Sequence, residues 1–136
     1  KGINNNPSPE QIENLKALAV NILQPIRSHY NEPLQISSGF RCAELCVAIG
    51  SKITSQHVAD ENAAAADFEI WGRDNKEVAT YIRDNLEFDQ LILEFYKEGE
   101  PNSGWIHCSY SSNENRNQCL YASREDGKTK YTPWLV

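Results

Sequence analysis

The chain has 136 residues, with 13 Lys and Arg against 19 Asp and Glu, and a formal net charge of −6. A chain of this length can bury one hydrophobic core, and its 24% charged and 10% aromatic content argues against disorder and coiled coil, so we predict a single domain over residues 1–136. The acidic balance without a Lys/Arg cluster argues against nucleic acid as a partner, and no segment has the ~18 apolar residues of a membrane span.

The first predicted element is a helix that begins at Ser8. Ser8 is typical of an N-cap, Pro9 of the first helical position, and Gln11 of a residue that closes a capping box. An apolar stripe at steps of three and four residues runs to about Tyr30; it comprises Ile12, Leu15, Ala19, Ile22 and Ile26. Pro25 lies within the stripe, and we expect it to kink the helix or end it early.

The next elements are short. A strand is predicted at 34–37, a turn at 38–39, and a helix at 43–49 that Gly50 ends. A polar loop separates this helix from a half-buried strand at 65–70. Asp74, with Glu77 three residues on, predicts the start of a second long helix, whose apolar stripe ends before Asp89.

Three further strands are predicted at 90–95, 105–110 and 118–123, followed by a short tail. The residues assigned to the core face of the sheet are Ala66, Phe68, Ile70, Leu91, Leu93, Phe95, Ile106, Cys108 and Tyr110. The opposite face gathers Asp67, Glu69, Glu94, Trp105 and His107. The predicted fold class is therefore α+β, a small antiparallel sheet with helices packed on one face.

The four cysteines have no C-x-x-C spacing; they are Cys42, Cys46, Cys108 and Cys119. We predict that they are reduced and act as small, half-buried apolar side chains. A structural zinc site formed by all four is the alternative.

His57 in the polar loop, Asp67 on one strand and His107 on another make a two-histidine, one-carboxylate set. Zinc in catalytic sites takes three such ligands and keeps a fourth position for water, whose pKa it lowers to about 7. The alternative is that His57 is an ordinary loop histidine and His107 a strand histidine satisfied by its neighbours.

Four segments occur in an order that resembles the zinc D-alanyl-D-alanine carboxypeptidase family, in particular its phage-type members. They are 37–41 (Ser-Ser-Gly-Phe-Arg), 55–57 (Ser-Gln-His), 65–68 (Ala-Ala-Asp-Phe) and 104–109 (Gly-Trp-Ile-His-Cys-Ser). The resemblance covers the chain from about Ile3 to Trp134 and implies the hedgehog-like peptidase fold. It also implies zinc binding by His57, Asp67 and His107.

The same resemblance implies roles for two other residues. Arg41 would bind a substrate carboxylate or carbonyl. Ser55 would hydrogen-bond the substrate or order the loop.

The chain departs from the family pattern between the first two metal ligands. The family motif S-x-H-x-x-G-x-A-x-D has the Asp seven positions after the His, whereas Asp67 is ten positions after His57. We infer a three-residue insertion within 58–64. Asp67 keeps the strand context, and Asp60 is the alternative ligand.

A second departure concerns the proton acceptor. Several relatives place an acid where this chain has Gly104, and others place a histidine where it has Trp105. Glu94 is the strongest candidate for the base because it shares the site face, and Glu69 is the lesser one. Trp105 is assigned to substrate binding, with simple packing as the alternative.

The function that the resemblance implies is a zinc-dependent peptidase for peptidoglycan stem peptides. Both D-Ala-D-Ala carboxypeptidase and endopeptidase cleavage occur in the family, and a phage-encoded lysis enzyme is expected. The alternatives are a metal-binding or structural module that has lost catalysis, and a protein stabilised by cysteine-bound zinc without an active site.

The expected partner is the stem peptide, without nucleic acid or membrane, and the expected state is a monomer. The first residues, Lys1-Gly2-Ile3 and three Asn, lack the apolar centre of a signal peptide. We therefore expect synthesis in the host cytoplasm, followed by release or virion delivery to the cell wall.

Overall fold

A computed structural model of the chain describes residues 2–49, 51 and 55–134. Its helical elements are α1 (Pro9–Leu18), a π-helical turn (Ala19–Leu23), α2 (Gln24–Tyr30), α3 (Ala43–Ala48), a 3-10 helix (Gln56–Val58) and α4 (Asn75–Asn85). Its strands are β1 (Gln35–Ser38), β2 (Ala63–Glu69), β3 (Gln90–Glu94), β4 (Trp105–Ser111), β5 (Gln118–Glu125) and β6 (Lys128–Pro133). No helix in these described ranges is both long and apolar enough to cross a membrane.

The N-terminal helix begins with the predicted capping box. Ser8 Oγ accepts a hydrogen bond from the backbone N–H of Gln11 at 3.2 Å, and the Gln11 side chain accepts one from the N–H of Ser8 at 2.8 Å. The helix does not end at Pro25, because the π-helical turn directly precedes it and α2 continues to Tyr30. The wider turn lies where the proline ring would otherwise collide with the preceding turn of helix.

The π-helical turn also changes which residues of this helix face the core. Leu18, Ile22 and Ile26 are buried, whereas Ile12 and Ala19, which the predicted stripe included, are exposed. In a regular α-helix a four-residue step drifts around the axis, and one wider turn offsets that drift. The predicted stripe is therefore wrong at Ile12 and Ala19.

The other predicted helices form close to their expected positions. The Asp74 side chain caps α4 by accepting a hydrogen bond from the N–H of Lys76 at 2.9 Å, and Val78 and Ile82 are buried. Helix α3 begins at Ala43, and Gly50, which was expected to end it, lies outside the described residues.

The six strands form one sheet in the order β1-β2-β4-β3-β5-β6. The α+β class is confirmed, but the sheet is mixed rather than purely antiparallel, because β3 and β5 are parallel. After β4 the chain passes β3 and pairs on its far side, so β5 runs in the direction of β3. Strand β6 was predicted as a tail; it forms a hairpin through Asp126 and Gly127, both at positive φ, as two-residue hairpin turns require.

The hydrophobic core lies between one face of the sheet and the helices α1, α2 and α4. Its largest buried side chains are Phe68, Phe88, Leu18, Ile22, Ile26, Ile70, Ile82, Leu91, Leu93 and Ile106. Phe95 was predicted to join them. It has φ +56°, which ends β3, and its ring packs against Trp105 with centroids 5.2 Å apart. The sheet face opposite the helices is left open for polar side chains.

Candidate active site

Strand pairing brings two of the predicted ligands together at the middle of the sheet. Strands β2 and β4 are antiparallel, and Asp67 lies directly opposite His107 in their register. His107 Nδ1 and Asp67 Oδ1 are 2.8 Å apart. Both side chains are on the face opposite the core, because their neighbours Phe68 and Ile106 are fully buried among the helices.

His57 reaches the same place from the 3-10 helix. Its Nδ1 lies 2.7 Å from the carbonyl oxygen of Gly39, which can only accept, so Nδ1 carries the proton. Its Nε2 is left with a lone pair and lies 3.3 Å from Asp67 Oδ1. The residue is 2% exposed, and its carbonyl accepts a hydrogen bond from the N–H of Arg41 at 2.8 Å.

These three side chains form a set that could hold a metal ion. One ligand atom from each of His57, Asp67 and His107 lies within 4.8 Å of the others. Burial raises the pKa of Asp67, but its interactions with the His107 and His57 imidazoles, whose nearest nitrogens are 2.8 and 3.3 Å away, outweigh burial and hold the pKa below the usual range. An ionised carboxylate beside two imidazole nitrogens suits zinc.

The longer segment between His57 and Asp67 does not separate them. Ala59, Glu61 and Asn62 adopt left-handed φ values and turn the chain tightly into β2. The buried Asn14 side chain holds this turn by donating to the carbonyl of Ala59 at 2.7 Å. The extra residues are therefore absorbed in a turn beside the site.

Asp60, the alternative ligand, lies in this turn and is exposed. It accepts a hydrogen bond from the Gln11 side chain at 3.1 Å. Within the part of the chain that the structure describes, it does not belong to a group that could hold a metal ion. The geometry thus favours Asp67.

Glu94 shares the cleft with the three candidate ligands. It lies opposite Trp105 in the β3–β4 register, and the indole Nε1 donates a hydrogen bond to its Oε2 at 2.6 Å. Burial raises the pKa of Glu94 above its ordinary value. Glu69, the lesser candidate, instead accepts a hydrogen bond from the buried Asn75 side chain at 3.2 Å and is not one of the residues lining the cleft.

Gly104 explains why this chain carries no acid three residues before His107. Its φ is +65°, and a Cβ there would overlap the carbonyl oxygen of Glu94 and lie 2.8 Å from the backbone of Phe95 and Tyr96. A side chain at this position would push β3 and β4 apart. A carboxylate for this cleft must come from another position, and Glu94 supplies one.

The cleft has a volume of about 1240 Å³ and opens along the sheet face. Every residue that the sequence assigned to the site lines it: Arg41, Ser55, His57, Asp67, Glu94, Trp105 and His107. Ser55 Oγ accepts a hydrogen bond from the N–H of His57 at 3.2 Å, which orders the 3-10 helix. Arg41 Nε is buried without a hydrogen-bond partner in the described chain.

Several residues of the cleft are not among those that the sequence predicted. Tyr131 on β6 lies in register with Ala122, which is in register with Glu94, and its side chain is 53% exposed. The Asp126-Gly127 dipeptide is a hairpin signal that would have revealed β6. Gln56, Asp89 and Arg116 also line the cleft; their contacts depend on the tertiary structure, and no local pattern marks them.

The cysteines play no part in this site. All four are free thiols, and none belongs to a group that could hold a metal ion in the described residues. Burial raises the pKa of the Cys108 thiol, and this residue packs in the hydrophobic core. The prediction of reduced, apolar cysteines agrees with this arrangement.

Two imidazoles and a carboxylate at the floor of an open cleft, with a further carboxylate alongside, are typical of a catalytic metal site. The family model for Peptidase M15 matches residues 1–109. The chain therefore belongs to the Peptidase M15 family, the zinc-dependent, D-Ala-D-Ala carboxypeptidase-like metallopeptidases. A search of curated proteins finds no match. Strand β5 and strand β6, the latter carrying Tyr131, lie beyond the matched residues.

Proposed function

We propose that the protein is a zinc peptidase that hydrolyses peptidoglycan stem peptides. The observation that carries the proposal is the juxtaposition of His57, Asp67 and His107, with ligand atoms within 4.8 Å of one another, in a cleft that also contains Glu94. Family membership supports the chemistry. The stem peptide as substrate is part of the proposal and follows the family resemblance.

Three side chains would hold the metal: His57 through Nε2, His107 through a ring nitrogen and Asp67 through a carboxylate oxygen. The hydrogen bond from His57 Nδ1 to Gly39 fixes the tautomer that presents Nε2. Zinc, when bound there, polarises the scissile carbonyl and makes water a competent nucleophile near neutral pH.

Glu94 is assigned to proton transfer. Its carboxylate takes a proton from the attacking water as the new carbon–oxygen bond forms, and delivers it to the amine as the carbon–nitrogen bond breaks. Burial raises its pKa, which makes it a better base than an exposed glutamate. Trp105 orients it through the 2.6 Å hydrogen bond to Oε2.

Arg41 is assigned to the substrate. Its side chain lines the cleft, and a guanidinium there can donate hydrogen bonds to a carboxylate or carbonyl of a peptide. Ser55 acts on the loop, since its hydroxyl caps the helix that bears His57.

The test is zinc content by elemental analysis together with mass spectrometry of digested muropeptides. We expect one zinc per wild-type chain, and loss of zinc in Asp67→Ala. Glu94→Gln should keep its zinc and lose about 10²–10⁴-fold in rate, the usual contribution of general acid–base catalysis. Glu44→Gln, on the exposed surface of α3, is the matched control and should change neither property.

The products decide between the two types of cleavage. Release of free D-Ala indicates a carboxypeptidase, and shortened or uncrosslinked stem peptides indicate an endopeptidase. Zinc binding without any product would overturn the proposal in favour of a module that keeps the metal but lacks catalysis. For a phage-encoded lysis enzyme, the remaining step is delivery to the cell wall through a permeabilised membrane or with the virion.

A further inference from the structure

A buried carboxylate outside the metal set connects the His57 helix to the sheet. Gln56, which directly precedes His57, donates a hydrogen bond from Nε2 to Asp89 Oδ2 at 2.6 Å. Asp89 is only 5% exposed. Arg116 donates to it from Nε and Nη2 at 2.9 and 2.8 Å, and from its backbone N–H at 3.1 Å.

Two backbone hydrogen bonds also hold Asp89 in the sheet. Its N–H donates to the carbonyl of Ser109 on β4 at 2.9 Å, and its carbonyl accepts from the N–H of Gln118 on β5 at 3.1 Å. Asp89 therefore sits where β3, β4 and β5 meet. A side chain that hydrogen-bonds to Asp89 is therefore held in a fixed position relative to the sheet that carries Asp67 and His107.

The 3-10 helix that bears His57 needs such a contact to hold its position relative to the sheet. It contains only three residues and is followed by a turn with left-handed backbone at Ala59, Glu61 and Asn62. A single 3-10 turn has little stability of its own. The hydrogen bonds of His57 to Gly39 and Arg41 connect it to the segment after β1, whereas Gln56 connects it to the sheet.

We propose that Gln56, Asp89 and Arg116 are positioning residues that hold His57 at metal-binding distance from Asp67 and His107. They line the cleft, but they act on the metal ligands indirectly, through the backbone between Gln56 and His57. Removing the Gln56–Asp89 hydrogen bond leaves all three ligand residues unchanged in the sequence. His57 Nε2 then samples a wider range of positions, so the affinity for zinc falls. This inference rests on the proposed function in taking zinc as the metal.

The decisive variant is Gln56→Leu, because it removes the connection and leaves the Asp89–Arg116 ion pair intact. We expect zinc affinity, measured by competition with a chromogenic chelator, to fall about tenfold or more, within the range for residues that orient metal ligands. The visible spectrum of the Co²⁺-substituted protein should broaden or shift. Gln24→Leu, at an exposed position of α2, is the matched control.

Two further variants test the rest of the connection. Arg116→Gln should also lower zinc affinity, whereas Arg73→Gln, which breaks the ion pair of similar length with Glu32, should not. In the Asp89→Leu background, Gln56→Leu should have little additional effect, since both changes remove the same hydrogen bond. If Asp89→Leu fails to fold, the comparison of Gln56→Leu with Gln24→Leu still decides.

The outcomes separate this inference from the proposed function. Weakened zinc binding in Gln56→Leu, with a melting temperature matching that of Gln24→Leu, supports it. Zinc affinity and Co²⁺ spectra equal to wild type in Gln56→Leu would overturn it while the peptidase assignment stands. A wild-type protein that binds no zinc would overturn both.

Discussion

Gly104→Ala tests whether the close approach of the chain after β3 to the start of β4 requires a glycine. Gly104 has φ +65°, and an added Cβ would overlap the carbonyl oxygen of Glu94 and lie 2.8 Å from Phe95 C and Tyr96 N. A left-handed backbone costs about 1–2 kcal/mol for a residue with a Cβ. Forcing an extra carbon into packed atoms costs about 1–3 kcal/mol. The free energy of unfolding should therefore fall by about 2–5 kcal/mol.

The matched control is Gly72→Ala. Gly72 has φ +86°, and an added Cβ would meet no atom within 4 Å, so only the backbone cost applies. Urea unfolding followed by circular dichroism measures both variants. Because the overlap displaces Glu94, Gly104→Ala should also lose more peptidase activity than Gly72→Ala. Equal losses of stability in the two variants would show that the added Cβ of Gly104→Ala meets no packed atoms.

Three other predictions follow from single contacts. The Arg116 hydrogen bonds lower the pKa of Asp89 from 3.8 to about 2, so above about pH 4 the ionised Asp89 stabilises wild type relative to Asp89→Asn. The difference in unfolding free energy between the two proteins should shrink by about 2 kcal/mol as pH falls through 2. A difference that does not depend on pH contradicts this prediction. Trp105→Phe removes the hydrogen bond that lowers the pKa of Glu94, so the acidic limb of the kcat/KM profile should move to higher pH, and an unmoved limb would argue against Glu94 as the base. Asp60→Ala should retain zinc by elemental analysis while Asp67→Ala loses it; the reverse result would make Asp60 the ligand.

Local chemistry is enough to predict the elements that frame the site. The capping box at Ser8 and the cap at Asp74 involve residues within three positions of each other, so the sequence contains the whole interaction. Strand alternation likewise assigns side chains to faces, because its period is two residues. That rule placed Asp67, Glu94 and His107 on the face opposite the helices, where the structure has them.

Features that depend on which segments of the chain pack together follow from the tertiary structure alone. Phe95 leaves the core because the chain turns at the end of β3, and the π-helical turn before Pro25 changes the buried face of the first helix. The hydrogen bond between the Gln56 and Asp89 side chains joins residues that are 33 positions apart in the sequence, so no local pattern indicates it.

Residue types and their spacing along the chain are enough to identify side chains that could bind a metal and transfer a proton. Only the fold determined that they share one cleft, because the distances between their side chains are set by the pairing of β2 with β4 and of β4 with β3. Long-range pairing is fixed by the packing of the whole sheet against its helices, and no local pattern contains that information.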